Sequence, residues 1–131
     1  MNETEKVPEK KLLIVEDNQD SRELVIKILK NRNYQLIEAF DGEDGLEKAI
    51  AEQPDIILLD ISLPKMGGYE VVKNLRLRKE FKHTLIIALT AHAMKGDEEK
   101  ALKAGFNGYI SKPINVHVLP DQIENYAKKT I

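Results

Sequence analysis

From Lys11 onward, short blocks of consecutive apolar residues alternate with apolar residues at helical spacing. Leu12-Leu13-Ile14-Val15 has the length of a strand, whereas Leu24, Val25, Ile28 and Leu29 repeat with the 3.6-residue period of an amphipathic helix. The same alternation predicts a strand from Tyr34 to Ala39 and a helix from about Asp44 to Glu52, with Leu46, Ala49 and Ile50 facing inward. Ile56-Ile57-Leu58-Leu59 is apolar at every position, a pattern that suits a strand covered on both faces, as in a parallel sheet between layers of helices. A loop from Ser62 to Gly68, with Pro64 and the Gly67-Gly68 pair, leads to a helix through Val71, Val72 and Leu75. Leu85 to Leu89 is the fourth strand, and Lys95 to Ala104 the fourth helix, with Gly105 as its C-terminal cap. A short strand from Gly108 to Ser111 precedes the Lys112-Pro113 turn. The last helix is expected from Val116 to Lys129, with Leu119, Ile123 and Tyr126 inward and Pro120 in its first turns, where a missing N–H costs least.

Five strands alternating with five helices predict an α/β protein with a doubly wound parallel sheet, because right-handed crossovers place helices on both faces. The flavodoxin-like strand order 2-1-3-4-5 is expected. The 131 residues, 42% hydrophobic and 32% charged, suffice for one domain with a real core. Residues 1–10 are polar and are expected to form a disordered leader, with the domain occupying 11–131. Lys and Arg number 20 against 22 Asp and Glu, a net charge of −2, which argues against a nucleic-acid partner. The absence of cysteine excludes disulfides, thiolate metal sites and thiol catalysis. No stretch approaches the roughly 20 apolar residues of a membrane helix, so no membrane insertion and a cytoplasmic location are expected.

In a sheet of this kind ligands bind beyond the carboxyl ends of the strands. The first strand ends in Glu16-Asp17, the third in Asp60, the fourth in Thr90 and the fifth in Lys112. Taken singly, each is most simply a loop residue, a cap or a surface lysine. Taken together, three carboxylates, a hydroxyl and an ammonium gather on one rim. Two carboxylates about 4 Å apart repel by on the order of 4 kcal/mol at an effective dielectric near 20, so a counter-charge is required. An all-oxygen donor set without imidazole or thiolate is what Mg2+ accepts. With the hydroxyl and the ammonium, the set suits phosphoryl transfer, with Asp60 as the nucleophile that forms an acyl phosphate.

These residues lie in LLIVEDN (Leu12 to Asn18), PDIILLDISLPKMGG (Pro54 to Gly68), IIALTAHA (Ile86 to Ala93) and GFNGYISKPI (Gly105 to Ile114). The four segments resemble the receiver domain of two-component response regulators, and the resemblance runs from about Lys11 to Ala127. It implies a phosphoacceptor role for Asp60 and Mg2+ as cofactor, held directly by Asp17 and Asp60 and through water by Glu16, with the backbone carbonyl of Ser62 completing the shell. Thr90 and the Ala91 N–H would hydrogen-bond the phosphoryl group, and Lys112 would pair with it. A cis Lys112-Pro113 peptide and a switch role for Tyr109 with Thr90 are also implied. His92 is read as a rim residue, His83 and His117 as surface residues, and Met66 and Met94 as loop or packing residues.

The function so implied is to take a phosphoryl group from a histidine kinase or histidine phosphotransfer protein and to switch a face made of the fourth helix, fifth strand and fifth helix. That face would then engage a downstream protein target. Such a domain is not an enzyme beyond catalysing its own phosphorylation and dephosphorylation. A swing from 1:99 to 99:1 between shapes takes about 5.5 kcal/mol, which the new phosphoryl contacts must supply. With few residues after the fifth helix, no effector domain is expected to follow; the start at Met1 with its leader favours a stand-alone regulator, and a receiver excised from a hybrid histidine kinase is the alternative. A phosphatase using an aspartyl nucleophile is a further reading, weakened because Ser62 stands where such enzymes carry their acid/base aspartate. A flavin or nucleotide module is disfavoured by the acidic loop after the first strand, and a pseudo-receiver by the filled chemical positions.

Overall fold

The computed structural model describes residues 9–91 and 96–129. Readings that fall on residues 1–8, on His92 and Met94, and on Lys95 as the start of a helix lie outside them. The elements are β1 (Lys10–Val15), α1 (Gln19–Leu29), β2 (Tyr34–Ala39), α2 (Gly42–Glu52), β3 (Ile56–Asp60), α3 (Gly68–Arg76), β4 (Leu85–Thr90), α4 (Asp97–Ala104), β5 (Gly108–Ser111) and α5 (Leu119–Lys129). The strands form one parallel sheet in the order β2-β1-β3-β4-β5.

Chain direction explains the layering. The step from β1 to β2 runs one way across the sheet, and the steps to β3, β4 and β5 run the other way. Right-handed crossovers therefore put α1 on one face and α2, α3 and α4 on the other. Two apolar layers follow. Leu12, Ile14, Leu58, Ile87, Leu89 and Ile110 pack with Val25, Leu29, Leu119 and Ile123 from α1 and α5. Leu13, Val15, Ile57, Leu59, Ile86 and Ala88 pack with Val71, Val72, Leu75, Phe81 and Ala101 on the opposite face. Every residue of β3 and β4 is buried, which is why those runs show no polar alternation.

Several boundaries differ from the expectation. Lys10, placed in the leader by its polarity, opens β1 opposite Tyr34. In α2, Ala49 is fully buried, but Gly42 and Gly45 fill the rest of the buried face while Leu46 and Ile50 pack only in part. α5 starts at Leu119 and not at Val116. Asn115 is the reason: its carbonyl accepts the Val118 N–H at 3.2 Å and its Oδ1 accepts that of His117 at 3.0 Å, so residues 116–118 form a turn first. A 3₁₀ turn, Lys79–Phe81, follows α3 and was not legible in the periodicity; it places Phe81 in the core. Gly105 does cap α4, at φ 116°, donating its N–H to the carbonyls of Ala101 and Leu102.

Candidate functional site

β1 and β3 are neighbours, and the sheet order reverses between them. Their carboxyl ends are therefore the switch point at which open α/β sheets bind ligands. Glu16 prolongs β1, its N–H donated to the carbonyl of Ala39 at 3.1 Å, and its side chain is only 1% exposed. Asp17 is exposed. Neither belongs to the first turn of α1, because Asn18 is the N-cap and accepts the Ser21 N–H at 2.9 Å. The acidic corner is thus held in front of the helix and not spent on its dipole.

Asp60 ends β3, 3% exposed, and its two oxygens have separate partners. Oδ1 accepts the N–H of Ser62 at 2.8 Å, while Oδ2 accepts a hydrogen bond from Lys112 Nζ at 2.9 Å. α3 begins directly against this strand end: a Cβ on Gly68 would lie 2.6 Å from the Asp60 carbonyl oxygen, so only glycine fits. Lys112 also forms an ion pair with Glu16. Its own N–H is donated to the Thr90 carbonyl at 2.7 Å, which fixes the exit of β5 beside the end of β4, and the Lys112-Pro113 peptide is cis.

One oxygen each from Glu16, Asp17 and Asp60 lies within 4.8 Å of the others. Oxygens at about 2.1 Å from an octahedral Mg2+ are at most about 4.2 Å apart, so a small contraction brings the set to ion-binding geometry. The donors are all hard oxygen, as that ion requires. The electrostatics show the strain of an acid cluster. Burial, with the hydrogen bond and charge of Asp60 beside it, pushes the Glu16 carboxyl up to about 7 against the pull of Lys112. For Lys112, burial works against the charged form, but hydrogen bonds to Glu16 and Asp60 outweigh it and hold the ammonium above its ordinary value.

Thr90, the last residue of β4, is 4% exposed, and Ala91 lies exposed after it. Ala91, Lys112, Pro113 and Ile114 line a groove of about 420 Å³ together with Ser21 and Leu24 of α1. The Tyr109 hydroxyl is buried and, among the described residues, completes no hydrogen bond, with the Thr90 side chain as a weak neighbour. Burial, with Asp97 nearby, raises its pKa. The structure thus brings Glu16, Asp17, Asp60 and Lys112 into one cluster, with Thr90 on the adjoining strand end. Ser62 is tied to the cluster through its N–H. His83 and His117 are exposed, as expected, and Met66 packs partly against the core.

One contributor was missed. Arg22, on α1, is 9% exposed and donates Nη1 to the Glu16 carbonyl at 2.8 Å. In the sequence it looks like part of a polar helix face, and only its position one turn past the acidic pair hints at a link.

Comparison with known proteins agrees with this geometry. Residues 12–124 match the response regulator receiver domain family. The chain is 41% identical over 117 residues to the polar-differentiation response regulator DivK of Brucella ovis, covering 89% of this chain and 95% of that protein. Among solved structures it is similar to the chemotaxis protein CheY4 of Vibrio cholerae (TM-score 0.84, 30% identity, 90% of this chain and 98% of that one). It is also similar to the receiver domain of the sensor histidine kinase PA1611 of Pseudomonas aeruginosa, crystallised with magnesium in its active-site cleft (TM-score 0.82, 31% identity, 92% and 98% covered).

Proposed function

The chain belongs to the response regulator receiver domain family of two-component signalling, and from that premise we propose that Asp60 is its phosphoacceptor. The observation that carries the reading is a buried carboxylate at the switch point, 2.9 Å from a lysine ammonium and within 4.8 Å of two further acids. Glu16, Asp17 and Asp60 would hold Mg2+, a reading supported by the magnesium ion coordinated in the active-site cleft of the PA1611 receiver; bound there, the ion would neutralise charge on the transferring phosphoryl group. An Asp60 oxygen attacks phosphorus in line, the bond from phosphorus to a donor imidazole nitrogen breaks, and a neutral histidine leaves as the acyl phosphate forms. Lys112 changes partner, from the carboxylates to the phosphoryl oxygens. Thr90 and the Ala91 N–H supply hydrogen bonds to the same oxygens, and the Ser62 carbonyl would be a further oxygen donor to the cation.

The donor is a histidine kinase or a histidine phosphotransfer protein, as membership of the family implies, and the exchange takes place in the cytoplasm. Output follows from Thr90 and Tyr109. When Thr90 moves to the phosphoryl group, the buried Tyr109 hydroxyl gains or loses its neighbour, and α4, β5 and α5 respond. The exposed Leu102, Val116 and Val118 give that region apolar surface for a protein target. DivK, matched over 95% of its length, supports action as a single-domain regulator. A phosphatase reading is not favoured, since Ser62 supplies no acid for turnover.

Intact mass after incubation with acetyl phosphate and Mg2+ tests the assignment. Wild type gains one phosphoryl group and Asp60→Ala gains none. Labelling of both would place the acceptor elsewhere.

A further inference from the structure

We infer that Arg22 is a positioning residue for the cation site, holding the Glu16-Asp17 corner where its carboxylates meet Asp60. The inference rests on the reading that these acids take Mg2+. Arg22 joins three pieces of chain: the end of β1, its own helix α1, and β2 with the residue that follows it. Nη1 donates to the buried Glu16 carbonyl at 2.8 Å, Nε donates to Glu38 Oε1 of β2 at 3.2 Å, and the guanidinium lies 4.3 Å from the centre of the Phe40 ring. The backbone of Glu16 is therefore clamped at both ends, its N–H on Ala39 and its carbonyl on Arg22. The clamp is braced from its own helix, because the Arg22 N–H is donated to the Asn18 carbonyl at 3.0 Å and the Asn18 N–H reaches Glu16 Oε2 at 3.3 Å. Phe40 is held from a second direction by Lys48, 5.2 Å from the ring centre, which also pairs with Asp44 at 3.3 Å.

This gives edge strand β2 a part in the site although it carries no acid of the cluster. A planar fork that donates to two acceptors at once fixes direction as well as distance, which a lysine cannot do. Polar groups behind the direct ligands typically change metal affinity by about 10–100-fold when removed.

The sign of the effect separates position from charge. Arg22 is a cation beside a cation site, so Coulomb's law alone predicts that Arg22→Met tightens Mg2+ binding. Positioning predicts the reverse.

Calorimetric titration of the full chain with MgCl2 decides between them, with thermal midpoints in EDTA and the rate of phosphorylation by acetyl phosphate against Mg2+ concentration. Arg22→Met is expected to weaken Mg2+ binding about tenfold. The Mg2+ concentration for half-maximal phosphorylation should rise by the same factor, while the rate at saturating Mg2+ stays near wild type. Glu38→Gln should shift both in the same direction by less, and Arg22→Lys should recover part of the loss. A folded Arg22→Met that binds Mg2+ as tightly as wild type, or more tightly, overturns the inference, even if its thermal midpoint falls. Should Arg22→Met not fold, unchanged Mg2+ constants in both Arg22→Lys and Glu38→Gln overturn it equally. Wild type that binds no Mg2+ removes the cation-site reading and the clamp with it, an outcome distinct from normal wild-type binding with unaffected variants.

Discussion

Lys112 and Arg76 are two partly buried cations at opposite rims of the same sheet, and their surroundings differ in kind. Lys112, beyond the carboxyl end of β5, faces the carboxylates of Glu16 and Asp60. Arg76, at the end of α3, faces neutral oxygens among the described residues: the carbonyls of Gly105, Phe81 and Thr84 at 2.9, 2.6 and 3.0 Å, and Asn107 Oδ1 at 2.7 Å. Their titration behaviour diverges accordingly. Burial lowers Arg76 with nothing to counter it, whereas paired acids lift Lys112. Arg76 staples α3, the 3₁₀ turn and the entries to β4 and β5 through groups that never change charge, so its contribution is constant. Lys112 sits among carboxylates, whose charge changes on protonation and, under the proposed function, on metal binding and phosphorylation. A cation held by fixed dipoles is structural; one held by excess negative charge is available for exchange.

The largest effect should come from the staple. Arg76→Leu takes a donor from four oxygens; Asn107 Oδ1 keeps the Ile86 N–H and the Phe81 carbonyl keeps that of Thr84, but the Gly105 and Thr84 carbonyls lose theirs, and at roughly 1–3 kcal/mol for each acceptor that water cannot reach a loss of about 3–5 kcal/mol is expected. Urea unfolding should give the same loss at pH 5 and pH 8, with or without Mg2+; a loss that varies with either condition would erase the contrast with Lys112.

Next is the pH profile of the metal-free protein. Glu16 titrates near 7 when folded against 4.5 as its ordinary value, so the folded state binds the extra proton between those values. Stability in EDTA should therefore fall as pH rises from about 4.5 to 7, by on the order of 2–3 kcal/mol, and Glu16→Gln should flatten the curve. Lys112, raised above its normal value, adds stability that persists at neutral pH and is lost only as pH rises through its folded pKa. A profile that climbs between pH 5 and 7 would contradict the crowding of acids.

The smallest effect is the most diagnostic. Lys112→Met should cost about 1–2 kcal/mol in EDTA at pH 8, because Glu16 and Asp60 lose their counter-charge. Saturating Mg2+ should shrink that gap, since the ion takes over the neutralisation. An equal gap in both conditions would make Lys112 another staple.

The legible part of the molecule was what leaves a periodic or positional trace. Continuous apolar runs gave the central strands, and an acid, a hydroxyl or an ammonium after four of them gave the rim. Arg22 and Arg76 left no such trace. Each sits on a helix among other charges; Arg76 is held largely by backbone carbonyls, which every residue carries, and Arg22 by one such carbonyl together with Glu38 and Phe40, which nothing in the chain order ties to it. Asn115 delays α5 through a local side-chain bond that competes with helical periodicity. Glu16 and Asp17 are adjacent and alike in the chain, yet one is buried and the other exposed, because successive residues leaving a strand point to opposite sides.

By itself the chain determined its α/β alternation, the covering of both sheet faces and the identity of the acids on one rim, because hydrophobic period and residue order are local properties. Only the tertiary structure decided which acid carries the electrostatic strain, which lysine relieves it and which arginine braces the corner. The lysine's contacts join residues 52 and 96 positions apart along the chain and the arginine's join residues 6 and 16 apart, and all of them depend on a burial that exists only once the sheet has closed over them.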